Sequence, residues 1–341
     1  MLPQDTRPTA ALDDASTTVP DVLFSNVYAL SQHLDAVASD DKIDSLVVGN
    51  VSEQNSSTLV PDVLFSNVDA LFQLLDAVAA GNQIDSLVVG NVSEQNFRAI
   101  EAERDGRGRH YRFLSLPDFT CTIITIPTGR HEEAHRGLYD IVSDAFRAMG
   151  LRNQWTNIGS ETFNALRGAS GEGDSPGGPR SRYRGGIQAW PTLVIEAGAT
   201  KTMPSLRIKG MWWFTASDYH MKVVVLVKLF PAAYSIRIEK WVAPVQPGQQ
   251  RHGATTTRAS RAVRRPVLDQ QLLINWAGPA SFPQTPINNR VLADFQVDGA
   301  PLILRFQELM EREPVTAAGE CDILITEEEL QDLAMHVWER A

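Results

Sequence analysis

The residue that most needs a chemical explanation is Glu196. It is the single charged side chain of the apolar segment 190–198, WPTLVIEAG, and an unpaired carboxylate in a strand buried on both faces is strongly unfavourable. Either it pairs structurally with a guanidinium such as Arg207 or Arg182, or it serves as a metal ligand or acid/base at a sheet edge. A second group is HEEAH, from His131 to His135. It matches HExxH, in which two imidazoles one helical turn apart bind Zn²⁺ and the Glu is the general base. Here it starts at a helix N-terminus right after the turn 127–130, no HxxGxxH follows, and Glu161 is the sole convenient third ligand. Packing and first-turn capping by both histidines is the favoured reading, with a zinc metallopeptidase as the remote one. GASGEGDSPGG has the glycines of a phosphate loop without its Lys-Ser/Thr. Trp212 and Trp213, beside Arg207 and Lys209, could stack on bases, although one core and one half-exposed ring is the plainer expectation. Arg-rich loops at 180–184 and 251–265 could grip phosphates or be solvated loops, and the latter is preferred.

These groups must be positioned by regular elements. The clearest is a helix over 131–149, with Leu138, Ile141, Val142, Ala145, Phe146 and Met149 on one stripe and Gly150 as a stop. Strands are expected at 84–92, 120–126, 190–198, 222–229 and 235–242, a weaker one near 162–166, and helices at 94–104 and 203–216. Residues 105–109 read as a Gly-rich turn and 168–186 as loop by composition. Residues 244–266, with five Arg and no acid, read as a mobile basic loop. Toward the C-terminus come strand-like 301–306, a strand at 322–325, and a helix whose Thr326 and Glu329 form a capping box.

The order helix, strands, helix, strand, with Asp174 ahead of a Glu-bearing strand, resembles the restriction-endonuclease-like PD-(D/E)XK superfamily. A closer resemblance is to uncharacterised fungal proteins with a WPxLVIEVGxSExLxxLxxDAxWW-like core. WPTLVIEAGATKTMPSLRIKGMWWF, GAPLILRFQELMEREP and CDILITEEELQDLAMHVW carry it here. The resemblance implies an α/β fold (α+β, mixed sheet) with an α-β-β-β-α-β core and terminal additions. It also implies a site in which Asp174 and Glu196 hold Mg²⁺, which activates water and neutralises the scissile phosphate. Where the superfamily pattern has Lys, two positions after Glu196, this chain has Gly198. Lys201 or Lys209, from the following helix, would then supply the ammonium, and Glu132 or Glu133 could add a carboxylate. The reading is a Mg²⁺-dependent nuclease, or a nuclease-derived protein binding DNA or RNA, using Asp174, Glu196 and Lys209. The alternative is an inactive interaction protein that keeps the fold.

Composition narrows the classes. The 341 residues carry a net charge of −10. Residues 1–104 hold 16 acids and 4 bases, the remainder 25 acids and 27 bases. No chain-wide basic field exists, so coating of nucleic acid is excluded and an anionic ligand must be held locally. Two cysteines 200 positions apart make no disulfide framework or cysteine-rich zinc site. The first 18 residues lack a targeting pattern, and the longest apolar run, 223–227, is far too short to span a bilayer. A soluble intracellular protein, cytoplasmic or nuclear, is expected. Residues 19–55 recur at 60–96 with 7 differences in 37 positions, which reads as a recent tandem duplication whose second copy belongs to the fold. The expected organisation is an acidic extension with the first copy over 1–59, a nuclease-like core over 60–243, the basic loop 244–266 and a C-terminal subdomain over 267–341.

Overall fold

The computed structural model describes residues 61–108, 111–159, 161–165, 168–183, 189–244, 265–278, 280 and 282–340. The first repeat copy, Arg184 and most of the basic segment 244–266 lie outside them. The described residues form one unit of mixed α/β structure. Its first sheet has six strands: β1 (Val63–Leu64), β2 (Ser86–Gly90), β3 (Arg112–Leu116), β4 (Cys121–Thr125), β6 (Thr162–Asn164) and β7 (Ser170–Glu172), in the order β1-β2-β4-β3-β7-β6. Only β1 and β2 pair in parallel. The second has seven: β5 (Trp155–Asn157), β8 (Ser175–Pro179), β9 (Leu193–Gly198), β10 (Val223–Phe230), β11 (Ser235–Val242), β12 (Val267–Trp276) and β13 (Phe295–Asp298), running β13-β12-β11-β10-β9-β8-β5. There β9 and β10 are the parallel pair. A small ladder joins β14 (Leu302–Leu304) to β15 (Ile323–Ile325).

Helices fill the spaces between and outside the sheets. α1 (Val68–Gly81) and α2 (Glu94–Arg107) pack on each other. α3 (Gly129–Ala148) lies on one face of the seven-stranded sheet with α6 (Glu327–Glu339), and the five-residue α5 (Phe306–Met310) joins the same apolar cluster. Leu138, Val142 and Phe146 of α3 meet Leu193, Ile195 and Ala197 of β9 and Leu330 and Trp338 of α6 there, so residues 267–340 share this core. α4 (Met203–Ala216) lies between the two sheets: Leu206, Trp213 and Phe214 share one apolar cluster with Val194, Val224 and Leu226 of the seven-stranded sheet and Leu114 and Ile123 of the six-stranded one. No helix among the described residues is long and apolar enough to cross a membrane.

Several expectations need correction. The stretch 168–186 is not simply loop: it contains β7 and β8, and every residue of both strands is buried. Its glycines are there for close approach, since a Cβ on Gly171 would lie 2.6 Å from the Trp212 ring and one on Gly177 2.6 Å from the Tyr139 hydroxyl. The strand near 162–166 is β6 of the other sheet, and β5 takes its place, so that the seven-stranded sheet reads α3-β5-β8-β9-α4-β10 along the chain. α2 runs on to Arg107 and ends on Gly108 at φ +62°, and only 302–304 of the strand-like 301–306 is strand.

Candidate functional site

One end of the six-stranded sheet, the first turns of α3, the β8–β9 pair and the inner face of α4 converge on a buried ion cluster. Thr128 caps α3 by accepting from the His131 amide, which sets His131 and, one turn on, His135 toward the sheets. Arg112 and Thr125 are register partners across β3 and β4, Ser86 stands opposite Thr125 on β2, and Asp85 immediately precedes it. Arg112, Thr125 and Asp85 reach the cluster from the same sheet end.

The structure brings Asp174, Glu196 and Lys209 together. Asp174 sits between β7 and β8 rather than in a loose segment, and its Oδ2 accepts from the Ala197 amide of β9 at 3.0 Å. Glu196, with no exposed side-chain surface, accepts from Trp213 Nε1 at 2.7 Å and faces Lys209 Nζ at 2.5 Å. The same Nζ is 3.5 Å from Asp174 Oδ1 and donates to Thr125 Oγ1 at 3.5 Å, and Lys201 donates to that Oγ1 at 3.0 Å. Arg112 Nη1 stands 3.6 Å from Asp174 and donates to Glu132 at 2.9 Å.

Neither guanidinium expected for Glu196 reaches it. Arg207 makes a two-point contact with Glu239 at 2.6 and 3.0 Å, and Arg182 binds Glu311 and the carbonyls of Trp190 and His220. Trp212 and Trp213 are both core, not one buried and one half-exposed, and three of the five glycines of the phosphate-loop-like stretch, Gly171, Gly177 and Gly178, are in strands. Glu133 is drawn off to Arg340. The histidines do more than pack. His131 bridges two aspartates, Nδ1 3.3 Å from Asp85 and Nε2 3.3 Å from Asp174, while His135 contacts Ser175 Oγ at 2.8 Å and Glu132 at 3.2 Å.

The electrostatics separate the two acids. Burial would push Asp174 up, but Lys209, His131 and Arg112 hold it well below the carboxylate range. Burial and the neighbouring Asp174 charge outweigh Lys209 at Glu196 and raise it to about 7. Burial and the nearby Lys209 lower Lys201 to about 8; burial opposes the charge on Lys209, yet Asp174 and Glu196 keep it above its ordinary value. Burial lowers His135 to about 4, whereas His131, despite burial, is raised by Asp174 and Asp85. Asp85 is held far down by His131, Lys201 and Thr200 against the push of burial.

These donors do not fit a divalent cation as they stand. Glu196 Oε1 accepts from the indole and Asp174 Oδ2 from the Ala197 amide, whereas Glu196 Oε2, 2.5 Å from the Lys209 ammonium, and Asp174 Oδ1 are buried without a hydrogen bond. The point between the acids that Mg²⁺ would need carries the ammonium instead, with Arg112 and Lys201 beside it. The same holds for Zn²⁺ at His131, Glu132 and His135. Their ligand atoms lie within 4.8 Å of one another, but both nitrogens of His131 face carboxylates, the Arg112 guanidinium stands on Glu132, and Glu161 is exposed.

The sequence reading passed over Asp85, Arg112, Thr125 and Ser175. Asp85 carries the same signal as Glu196, a lone charge at the head of an apolar run, IDSLVVG. No family model matches the chain, and no curated protein matches it in sequence. Among solved structures, it is similar to a protein of Anabaena variabilis described as a candidate nuclease belonging to DUF820. The two share 13% sequence identity at a TM-score of 0.27, over 34% of this chain and 66%, just under two thirds, of the other.

Proposed function

We propose that the chain is a nuclease-derived protein of the PD-(D/E)XK kind whose acid pair is shut, so that it keeps the phosphodiesterase trio without cutting. The observation that carries the reading is the position of the Lys209 ammonium, 2.5 Å from Glu196 and 3.5 Å from Asp174, with both carboxylates fully buried. The chain order α3-β5-β8-β9-α4-β10 supports it, with Glu196 on β9, Asp174 just ahead of the adjacent β8, and the lysine on the helix between β9 and β10. So does the charge balance. Asp85, Glu132, Asp174 and Glu196 face Arg112, Lys201, Lys209 and His131, which leaves no net negative charge to draw in a cation.

The test is cleavage of plasmid and single-stranded DNA and RNA with Mg²⁺ or Mn²⁺, wild type against Glu196→Gln. Neither protein should cut. Metal-dependent cleavage by the wild type that the substitution abolishes would overturn the closed reading in favour of a working nuclease whose Lys209 withdraws. That second reading has one observation in its favour: both acids and an ammonium already face a common point.

A further inference from the structure

The edge of the six-stranded sheet is closed by a unit whose sequence the chain carries twice. β1, α1 and β2 lie within residues 60–96, which match 19–55 at all but 7 of 37 positions. The structure sorts those differences into two kinds. Five fall at exposed positions, Asp69, Ala80, Gly81, Asn82 and Gln83, where the first copy has Tyr28, Ser39, Asp40, Asp41 and Lys42. The two that test the backbone fit: a Cβ at Gly81 meets nothing within 4 Å, and Asn82, the C-cap of α1 at φ +50°, sits in the left-handed region that aspartate also adopts. The other two are core. Phe72 has no exposed surface and lies against Tyr111 and the Arg107 guanidinium, and Leu74 is buried; the first copy has Ser31 and His33 there.

The polar groups that cap and anchor the unit are the same in both copies. Asp62, which accepts from the Val88 amide, is matched by Asp21, and the cap Asn67 by Asn26. Asp85, which accepts from the Ala199 and Thr200 amides and faces His131 in the ion cluster, is matched by Asp44. The five residues of β2 that pair with β4 have identical counterparts at 45–49. The match stops at Asn96, in the first turn of α2, so exchanging one copy for the other interrupts that turn alone.

We infer that the β1–α1–β2 place has two competing occupants within one chain: residues 60–96, which fill it, and residues 19–55, a weaker substitute that would bring Asp44 to the position of Asp85. The sheet edge permits the exchange, because β1 pairs with β2 alone and one ladder holds β2 to the rest of the sheet. With 19–55 in place, 56–96 becomes a loop whose ends meet at Asn55 and Phe97, and closure cost rises only slowly with loop length. A second chain would offer the same segment at far lower effective concentration, so the competitor is the chain's own. A serine and an imidazole in place of two buried apolar side chains lose packing and bury polar groups, which keeps 60–96 resident. The inference goes beyond the closed-nuclease reading and holds whether or not the ion cluster cuts.

The experiment reverses the two core positions and asks which aspartate the fold then depends on. Full-length wild type and a full-length chain carrying Ser31→Phe, His33→Leu, Phe72→Ser and Leu74→His are each melted with and without Asp44→Asn or Asp85→Asn. In the wild type, Asp85→Asn should lower the melting temperature and Asp44→Asn should leave it unchanged. In the reversed chain the dependence should move to Asp44, with no change in oligomeric state. A chain lacking 56–96, which joins Asn55 to Phe97, reads the fit alone. It should melt at least about 10 °C below the wild type, and Ser31→Phe with His33→Leu should return it to the wild-type value. Continued dependence on Asp85 in the reversed chain, or a change of its oligomeric state, overturns the inference. So does a reversed chain that fails to melt cooperatively while the shortened one does, or a shortened chain that stays unfolded with Ser31→Phe and His33→Leu.

Discussion

Both faces of the seven-stranded sheet bury an apolar cluster, but the face toward α4 also buries most of the charge. On the face toward α3 and α6, β9 presents Leu193, Ile195 and Ala197, and β10 presents Val223, Val225 and Val227, all within one apolar cluster. On the face toward α4, the same strands present Val194 and Glu196, then Val224, Leu226 and Lys228, and β11 adds Glu239. Truncating an apolar contact costs in proportion to the area and cavity it leaves. In a buried ion cluster, each charge is tolerable only while its partners stand. The difference teaches where substitution should be catastrophic singly and mild in combination.

Breaking the charged face singly should give the largest loss. Lys209→Met leaves Glu196 and Asp174 short of a cation and should cost about 3–5 kcal/mol in urea unfolding. Combined with Glu196→Gln, most of that loss should return; a double variant as unstable as the sum of the singles would erase the distinction between the faces. On the apolar face, Leu138→Ala should cost about 2–5 kcal/mol by cavity formation. Added to Lys209→Met it should be additive to within about 0.5 kcal/mol, because the sheet separates them.

Arg207→Ala sharpens the contrast within the charged face. Its partner Glu239 is buried but keeps the Trp241 indole at 3.0 Å, and Arg207 itself is 39% exposed, so the loss should be about 1–2 kcal/mol. The smallest effect is one of pH. Glu196 is raised from 4.5 to about 7, so between those values the folded chain holds a proton that the unfolded chain has released. This group's stabilisation is complete below about 4.5 and is lost as pH rises through about 7. Glu196→Gln should therefore gain on the wild type in melting temperature between about pH 5 and pH 8. His135, lowered to about 4, works in the opposite direction but is present in both proteins.

Much of the sheet-and-helix order was legible because α3, β9, β10 and β11 carry clean apolar periodicity. Glu196 stood out because a charge in such a run has few explanations. Asp174 could be named only through the resemblance, since its neighbours are Gly, Ser and Pro, whose usual meaning is loop. That meaning failed because Trp212, Trp213, Tyr139 and Trp155 lie over Gly171, Gly173 and Gly177, and ring contacts between distant elements leave no mark on local composition. The partners of Glu196 were hidden for the same reason: Arg207 is nearer than Lys209 in sequence, but the helix turns Arg207 toward β11.

Placing α4 between two sheets also has a consequence for cooperativity. Neither sheet can release the helix without exposing the apolar surface of the other, so its amide hydrogens should exchange only when both sheets open together. The helix that carries Lys209 then sets the unit of unfolding, and the slowest-exchanging amides of the chain should be found in it.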